Sequence, residues 1–154
     1  MTPPLTLRRA APGDLPAIAS IEASSFHRPW RTETFAYLLQ RPDADVLVAS
    51  LGGTVVGYAV LTAQAGEAEL ANLAVDPGHR RRGIASALLR ECLKILKDRG
   101  ARRVLLAVRA SNRMAATLYG AFGFREIGRH PGYYGDPAED AVVFGLEVGS
   151  HGSG

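Results

Sequence analysis

A single cysteine, Cys92, among 154 residues excludes an internal disulfide. It falls among apolar positions at helical spacing, so it reads as a buried, inert thiol rather than a nucleophile. Four histidines, His27, His79, His130 and His151, share no ligand spacing with one another or with Cys92, and no metal is implied. No apolar run approaches the roughly 20 residues of a membrane span, and Met1 to Thr6 lacks the charged and apolar segments of a signal peptide. The expectation is a cytoplasmic protein without a membrane partner. Neither Gly-x-x-x-x-Gly-Lys-Ser/Thr nor Gly-x-Gly-x-x-Gly occurs, which removes the two commonest nucleotide loops. No repeat or low-complexity segment is present.

What the chain does contain is the composition of an ordinary folded protein, 47% hydrophobic and 21% charged, too apolar for disorder. Its length suits one domain with a sizeable core. Residues 1–148 are expected to form it, with 149–154, Gly-Ser-His-Gly-Ser-Gly, as a disordered tail. Eighteen Lys and Arg against fifteen Asp and Glu leave a net charge of only +3. That is weak evidence for a nucleic-acid partner, and none is expected; where the charge sits matters more.

Leu5 to Ala10 alternates like a strand. Asp14 then offers a cap for a helix carrying Leu15, Ile18, Ala19 and Glu22 and ending near Phe26. Pro29 breaks the pattern, and Thr32 offers a cap for a short helix with Phe35, Leu38 and Leu39. Asp45–Ser50, the Gly52-Gly53 turn and Val55–Ala63 read as a hairpin, with a third strand over Glu67–Val75. Ile84, Leu88, Cys92, Ile95 and Leu96 keep helical spacing up to Gly100. A short strand, Val104–Val108, precedes a helix capped by Ser111 or Asn112 and ended by Gly123. Strands near Phe124–Arg129 and Ala141–Val148 close the chain. The fold class is therefore α/β, a mixed sheet with helices on both faces, in which residues 67–108 form a strand-helix-strand crossover with parallel flanking strands.

Asp76-Pro77-Gly78-His79-Arg80-Arg81-Arg82-Gly83-Ile84-Ala85-Ser86 gathers three arginines before a glycine where the strand gives way to the long helix. Orphan backbone N–H groups and the helix dipole favour an anion there, and glycine allows close approach to the backbone. The N–H groups of residues 81–86, with Arg80, Arg81 and Arg82, suit a pyrophosphate. A purely solvated basic helix start stays open as the alternative.

Asn72-Leu73-Ala74-Val75-Asp76-Pro77 followed by Arg80-Arg81-Arg82-Gly83-Ile84-Ala85 resembles the acetyl-CoA-binding motif of the GNAT N-acetyltransferases. Val108-Arg109-Ala110-Ser111-Asn112, the segment from Ala116 to Phe124, Tyr133-Tyr134 and Glu139-Asp140-Ala141 are similar to the RimI-type branch, which acetylates the N-terminal alanine of a ribosomal protein. The resemblance runs from Leu5 to Val148 and includes Pro29-Trp30. It implies a mostly antiparallel sheet of about seven strands with one splayed parallel pair, acetyl-CoA as co-substrate, and a protein N-terminus as acceptor. It further implies that Leu73, Ala74 and Val75 bond the pantetheine arm, that residues from Arg80 to Ser86 hold the pyrophosphate, that Asn112 contacts the cofactor arm, and that Tyr119 is the general acid. Read alone, Asn112 is equally a helix cap and Tyr119 equally a core aromatic.

The RimI pattern carries Glu-Val-Arg where this chain has Ala107-Val108-Arg109, so the glutamate assigned as proton acceptor is missing. Glu69 takes the place that a lysine-acetylating branch uses for its base, four residues before Leu73, and alternation puts Glu67, Glu69, Leu73 and Val75 on one face. An ion-pair role for Glu69 is the alternative. An α-amine is roughly 10–15% neutral at pH 7, a lysine amine only about 0.04%, so loss of a base is better tolerated for an N-terminal acceptor. A small-molecule or lysine acceptor, and a non-catalytic acyl-CoA-binding module, stay open.

Overall fold

The computed structural model describes residues 3–135 and 138–148. Eleven main elements run in the expected order: β1 (Leu5–Arg9), α1 (Leu15–Ser25), α2 (Thr32–Gln40), β2 (Ala44–Leu51), β3 (Thr54–Gln64), β4 (Glu67–Val75), α3 (Ile84–Asp98), β5 (Arg103–Arg109), α4 (Arg113–Ala121), β6 (Arg125–Gly135) and β7 (Ala138–Glu147). They build one seven-stranded sheet in the order β1-β2-β3-β4-β5-β7-β6. All pairs are antiparallel except β4 with β5. The tail expected to be disordered lies outside the described residues.

Each face of the sheet has its own core. Ile84, Leu88, Leu89, Cys92 and Leu96 of α3, with Tyr119 of α4, pack on Leu47, Ala59, Leu61, Leu70 and Val104. On the other face Ile18 and Ile21 of α1 and Phe35 and Leu38 of α2 cover Val46, Val48, Tyr58, Val60 and Ala74. Sequence periodicity sorts these residues because a helix buries one stripe and a central strand buries both of its faces.

Three local expectations need correction. The Asp14 side chain does not cap α1; it accepts from Ala11 N–H at 2.8 Å and from Arg8 at 2.7 Å, closing the turn before the helix. Thr32 is the first residue of α2 rather than its cap, and Arg31 in the cap position makes no side-chain bond to the helix. Strand β6 runs six residues past Arg129, through Pro131 and Gly132 to Gly135. Two register shifts, at 126–128 and at 130–134, break the alternation there, and a bulged strand of this kind loses its period-two signature.

Candidate active site

The parallel strands part almost as soon as they meet. Strand β4 pairs with β5 only at Glu67–Arg103, Ala68–Val104 and Glu69–Leu105, whereas β5 stays in register with β7 along its whole length. Leu70 to Val75 therefore have no ladder partner on the β5 side, and, apart from the Val75 carbonyl, which accepts from Arg80, their backbone groups there are available to an extended ligand. A bulge sits at the same place: Val60 pairs with Asn72 and Leu61 with Leu70, leaving Ala71 as the extra residue.

The bulge overturns one expectation. Ala68, Leu70, Leu73 and Val75 all belong to the α3 side, while Ala71 and Ala74 belong to the α1/α2 side. The inserted residue shifts the alternation by one, so Glu67 and Glu69 face away from Leu73 and Val75, onto the α1/α2 side.

On the α3 side the cradle forms as the helix start requires. Gly83 takes the N-cap position with φ +77°, and Arg81 also has positive φ, +65°. Successive N–H groups in such a turn point to a common centre and make a concave anion site at the start of a 15-residue helix. A Cβ at Gly83 would meet no protein atom within 4 Å; glycine is demanded by φ and by the space over the turn. Gly57 lets the cradle come down onto the sheet, since a Cβ there would lie 3.2 Å from the Ala74 carbonyl and from Leu88 Cδ1. The arginine run divides. Arg80 turns back, its Nε 3.2 Å from the Val75 carbonyl and its guanidinium 3.4 Å from Ser25 Oγ, while Arg81 and Arg82 stay exposed beside Gly83. Ile84 is buried and anchors the turn, and Ala85 and Ser86 are half-buried.

Asn112 caps α4, its side-chain oxygen accepting from Ala115 N–H at 3.1 Å. Tyr119 is buried with its ring edge-on to Phe124, centroids 5.6 Å apart. Its hydroxyl has no protein partner among the described residues, yet no fully buried polar side-chain atom is left unpaired, so the hydroxyl reaches open space. Burial pushes the phenol pKa well up, with Cys92 adding to the effect; the group stays protonated at neutral pH.

The α1/α2 side holds a different set. Glu69 sits at the last rung before the strands part, in an open groove that also includes Glu67, Thr62, Gln64 and Leu105. Neither glutamate makes an ion pair among the described residues. Ala107 lies two residues beyond Leu105, exposed on the same face. Arg109 stacks on Tyr134 at 4.3 Å and lies 3.4 Å from Glu139, whose other oxygen accepts from Ser111 N–H at 2.5 Å. Those contacts hold the Glu139 carboxyl below the usual range, the Ser111 bonds first among them.

Glu22 was legible only as a position on the apolar stripe of α1. It is 1% exposed, and accepts from Trp30 N–H at 2.8 Å, Asn72 Nδ2 at 2.7 Å and the Tyr58 hydroxyl. The one sequence signal is a glutamate falling in helical step with Ile18 and Ile21.

A strand fork beside a glycine-started helix is a recurrent arrangement, and residues 15–124 match the acetyltransferase (GNAT) family. This chain belongs to the GNAT acetyltransferases. Among GNAT relatives, the [ribosomal protein bS18]-alanine N-acetyltransferase of Escherichia coli strain K12 is 35% identical over 137 residues, covering 88% of this chain and 92% of its own. The N-alpha-acetyltransferase RimI of Mycobacterium tuberculosis is 34% identical over 154 residues, covering 96% of each. A crystal structure of the ribosomal-protein-S18-alanine N-acetyltransferase from Escherichia coli matches with a TM-score of 0.89 at 34% identity, over 97% of both chains. The GNAT fold expected from sequence, with its mostly antiparallel sheet and one splayed parallel pair, is thus the fold observed. Among the described residues no group of three His, Cys, Asp or Glu could hold a metal ion, and no helix is long and apolar enough to cross a membrane.

Proposed function

We propose that residues 1–148 form a single acetyl-CoA-dependent N-acetyltransferase domain that works in the cytoplasm and transfers acetyl to the N-terminal α-amine, an alanine, of a ribosomal protein. The observation that carries this reading is the fork itself: β4 leaves β5 at Glu69–Leu105 within the same crossover that contains the Gly83 cradle. The named activities of the 34–35% identical relatives select the acceptor.

The residues present fit a coenzyme A thioester. Arg81, Arg82 and the N–H groups from Gly83 to Ser86 would grip the diphosphate, and the edge of Leu73, Ala74 and Val75, the Val75 carbonyl excepted, would bond the pantetheine amides. Arg80 would support the cradle by fixing the Val75 carbonyl, and Asn112 would offer its free amide nitrogen to the arm. In this reading acid and base act from opposite sides of the fork, Tyr119 from the α3/α4 side and Glu69 from the α1/α2 side. With the acceptor entering from the α1/α2 side, its nitrogen bonds to the acetyl carbon and the carbon–sulfur bond breaks. Glu69, directly or through water, takes the amine proton, and Tyr119 gives its proton to the departing sulfur. Holding the two reactants in line would supply most of the acceleration. An uncharged Ala107 in place of the family glutamate is tolerable for an α-amine, part of which is already neutral at pH 7.

Incubation with acetyl-CoA and a panel of Ala-starting peptides, lysine peptides and small amines, followed by mass spectrometry of the site of acetylation, tests the reading. Acetyl on the α-amine of alanine peptides is expected; transfer only to lysine or small amines would overturn the acceptor assignment.

A further inference from the structure

The proposed reaction gives no task to Glu22, the one carboxylate among the described residues that is buried in the core of the α1/α2 face. Glu22 has no cationic partner among the described residues; its three partners are Trp30 N–H, the Tyr58 hydroxyl and the Asn72 amide. All three are donors. An ionised carboxylate, which only accepts, matches that set, whereas a glutamine would turn an N–H against at least one donor. A buried charge without a counter-ion costs stability, and a leucine would fill the site among Ile18, Ile21 and Tyr58 without that cost. What a leucine could not do is hold Trp30 and Asn72 together.

Those two partners belong to different parts of the site. Trp30 lies in the loop between α1 and α2, on the side from which the acceptor enters. Asn72 follows the bulge residue Ala71 and directly precedes Leu73, where β4 has left β5. The connection is closed by stacking: Trp30 lies on Phe35 at 5.4 Å, Phe35 meets Tyr58 edge-on at 5.6 Å, and the Tyr58 hydroxyl returns to Glu22. A circuit of side chains therefore joins the acceptor loop to the strand that would carry the thioester.

Resting on the proposed function, we infer that Glu22 is a positioning residue: it keeps the loop of residues 26–31 in register with the bulged segment of β4, so that the acceptor amine meets the thioester in line.

Because Trp30 is the chain's one tryptophan, its fluorescence reports this loop directly. Glu22→Gln is expected to raise the acceptor-peptide KM about tenfold and lower kcat, while the Kd for coenzyme A stays within about twofold. Trp30 becomes more accessible to acrylamide. Combining Glu22→Gln with Asn72→Asp restores one carboxylate and one amide in exchanged places, and is expected to bring the acceptor KM and the quenching back toward wild type. A role confined to core packing would not respond to that exchange. A folded Glu22→Gln enzyme with wild-type acceptor KM and wild-type quenching overturns the inference, as does an equal loss of affinity for coenzyme A and acceptor. Should Glu22→Gln fail to fold, failure of the exchanged pair to restore folding and KM overturns it too. A wild-type protein that acetylates no amine would instead defeat the proposed function, and this role with it.

Discussion

The face covered by α3 and α4 and the face covered by α1 and α2 are assembled in different ways. On the first, the groups that suit a thioester come mostly from one short stretch, Leu73 to Ser86, and a helix start fixes their geometry. On the second, Glu22 reaches Asn72 across 50 residues and Tyr58 across 36. A local device survives as long as its helix does. A long-range one depends on every element that brings its members together.

The sharpest test of the first face is Tyr119→Phe. Loss of a general acid is expected to lower kcat about a hundredfold or more, with little change in thermal stability because the hydroxyl has no protein partner to lose. Unchanged turnover would leave Tyr119 as a packing residue only. Next is Gly83→Val, which forces a branched side chain into a left-handed φ and into the cradle. It is expected to cost about 1–2 kcal/mol of stability and to abolish measurable coenzyme A binding by calorimetry while peptide binding persists. Glu69→Gln probes the second face and should be milder on alanine peptides, less than about tenfold in kcat/KM near pH 8, since part of the α-amine is already neutral. A much larger loss would make Glu69 the sole base.

The smallest expected effect concerns pH. Burial raises the Glu22 pKa above its usual value, against the three hydrogen bonds that lower it. The folded state then binds more protons than the unfolded one in the window above about 4.5, so this group's contribution to stability falls as pH rises through that window. Glu22→Gln has no carboxyl to titrate. In urea unfolding, the stability of the variant relative to wild type should improve between about pH 4 and about pH 8; a constant or opposite difference would mean that Glu22 is not buried as described.

The contrast between the faces also explains what could be read in the sequence. The order of elements was legible because each is long enough to show its period, and the cradle was legible because three arginines, a glycine and a helical stripe are contiguous. Arg80 reads like its two neighbours because nothing local shows that it folds back to Val75 and Ser25. Glu22 was seen only as a stripe position, since its partners lie on a loop and on two distant strands. Alternation alone gives the wrong side of the sheet for Glu69, because a bulge at Ala71 leaves no mark in residue type.

That single bulge has a wider consequence. Strand side chains repeat every two residues, so one extra residue is a half-period phase slip. Here it lets one continuous strand serve two compartments, presenting Glu67 and Glu69 to the α1/α2 side and Leu73 and Val75 to the α3 side. Replacing Ala71 by another small residue would leave the phase intact, whereas deleting it would turn over everything upstream or downstream and merge the compartments. Length at this point, more than identity, is what inheritance must preserve.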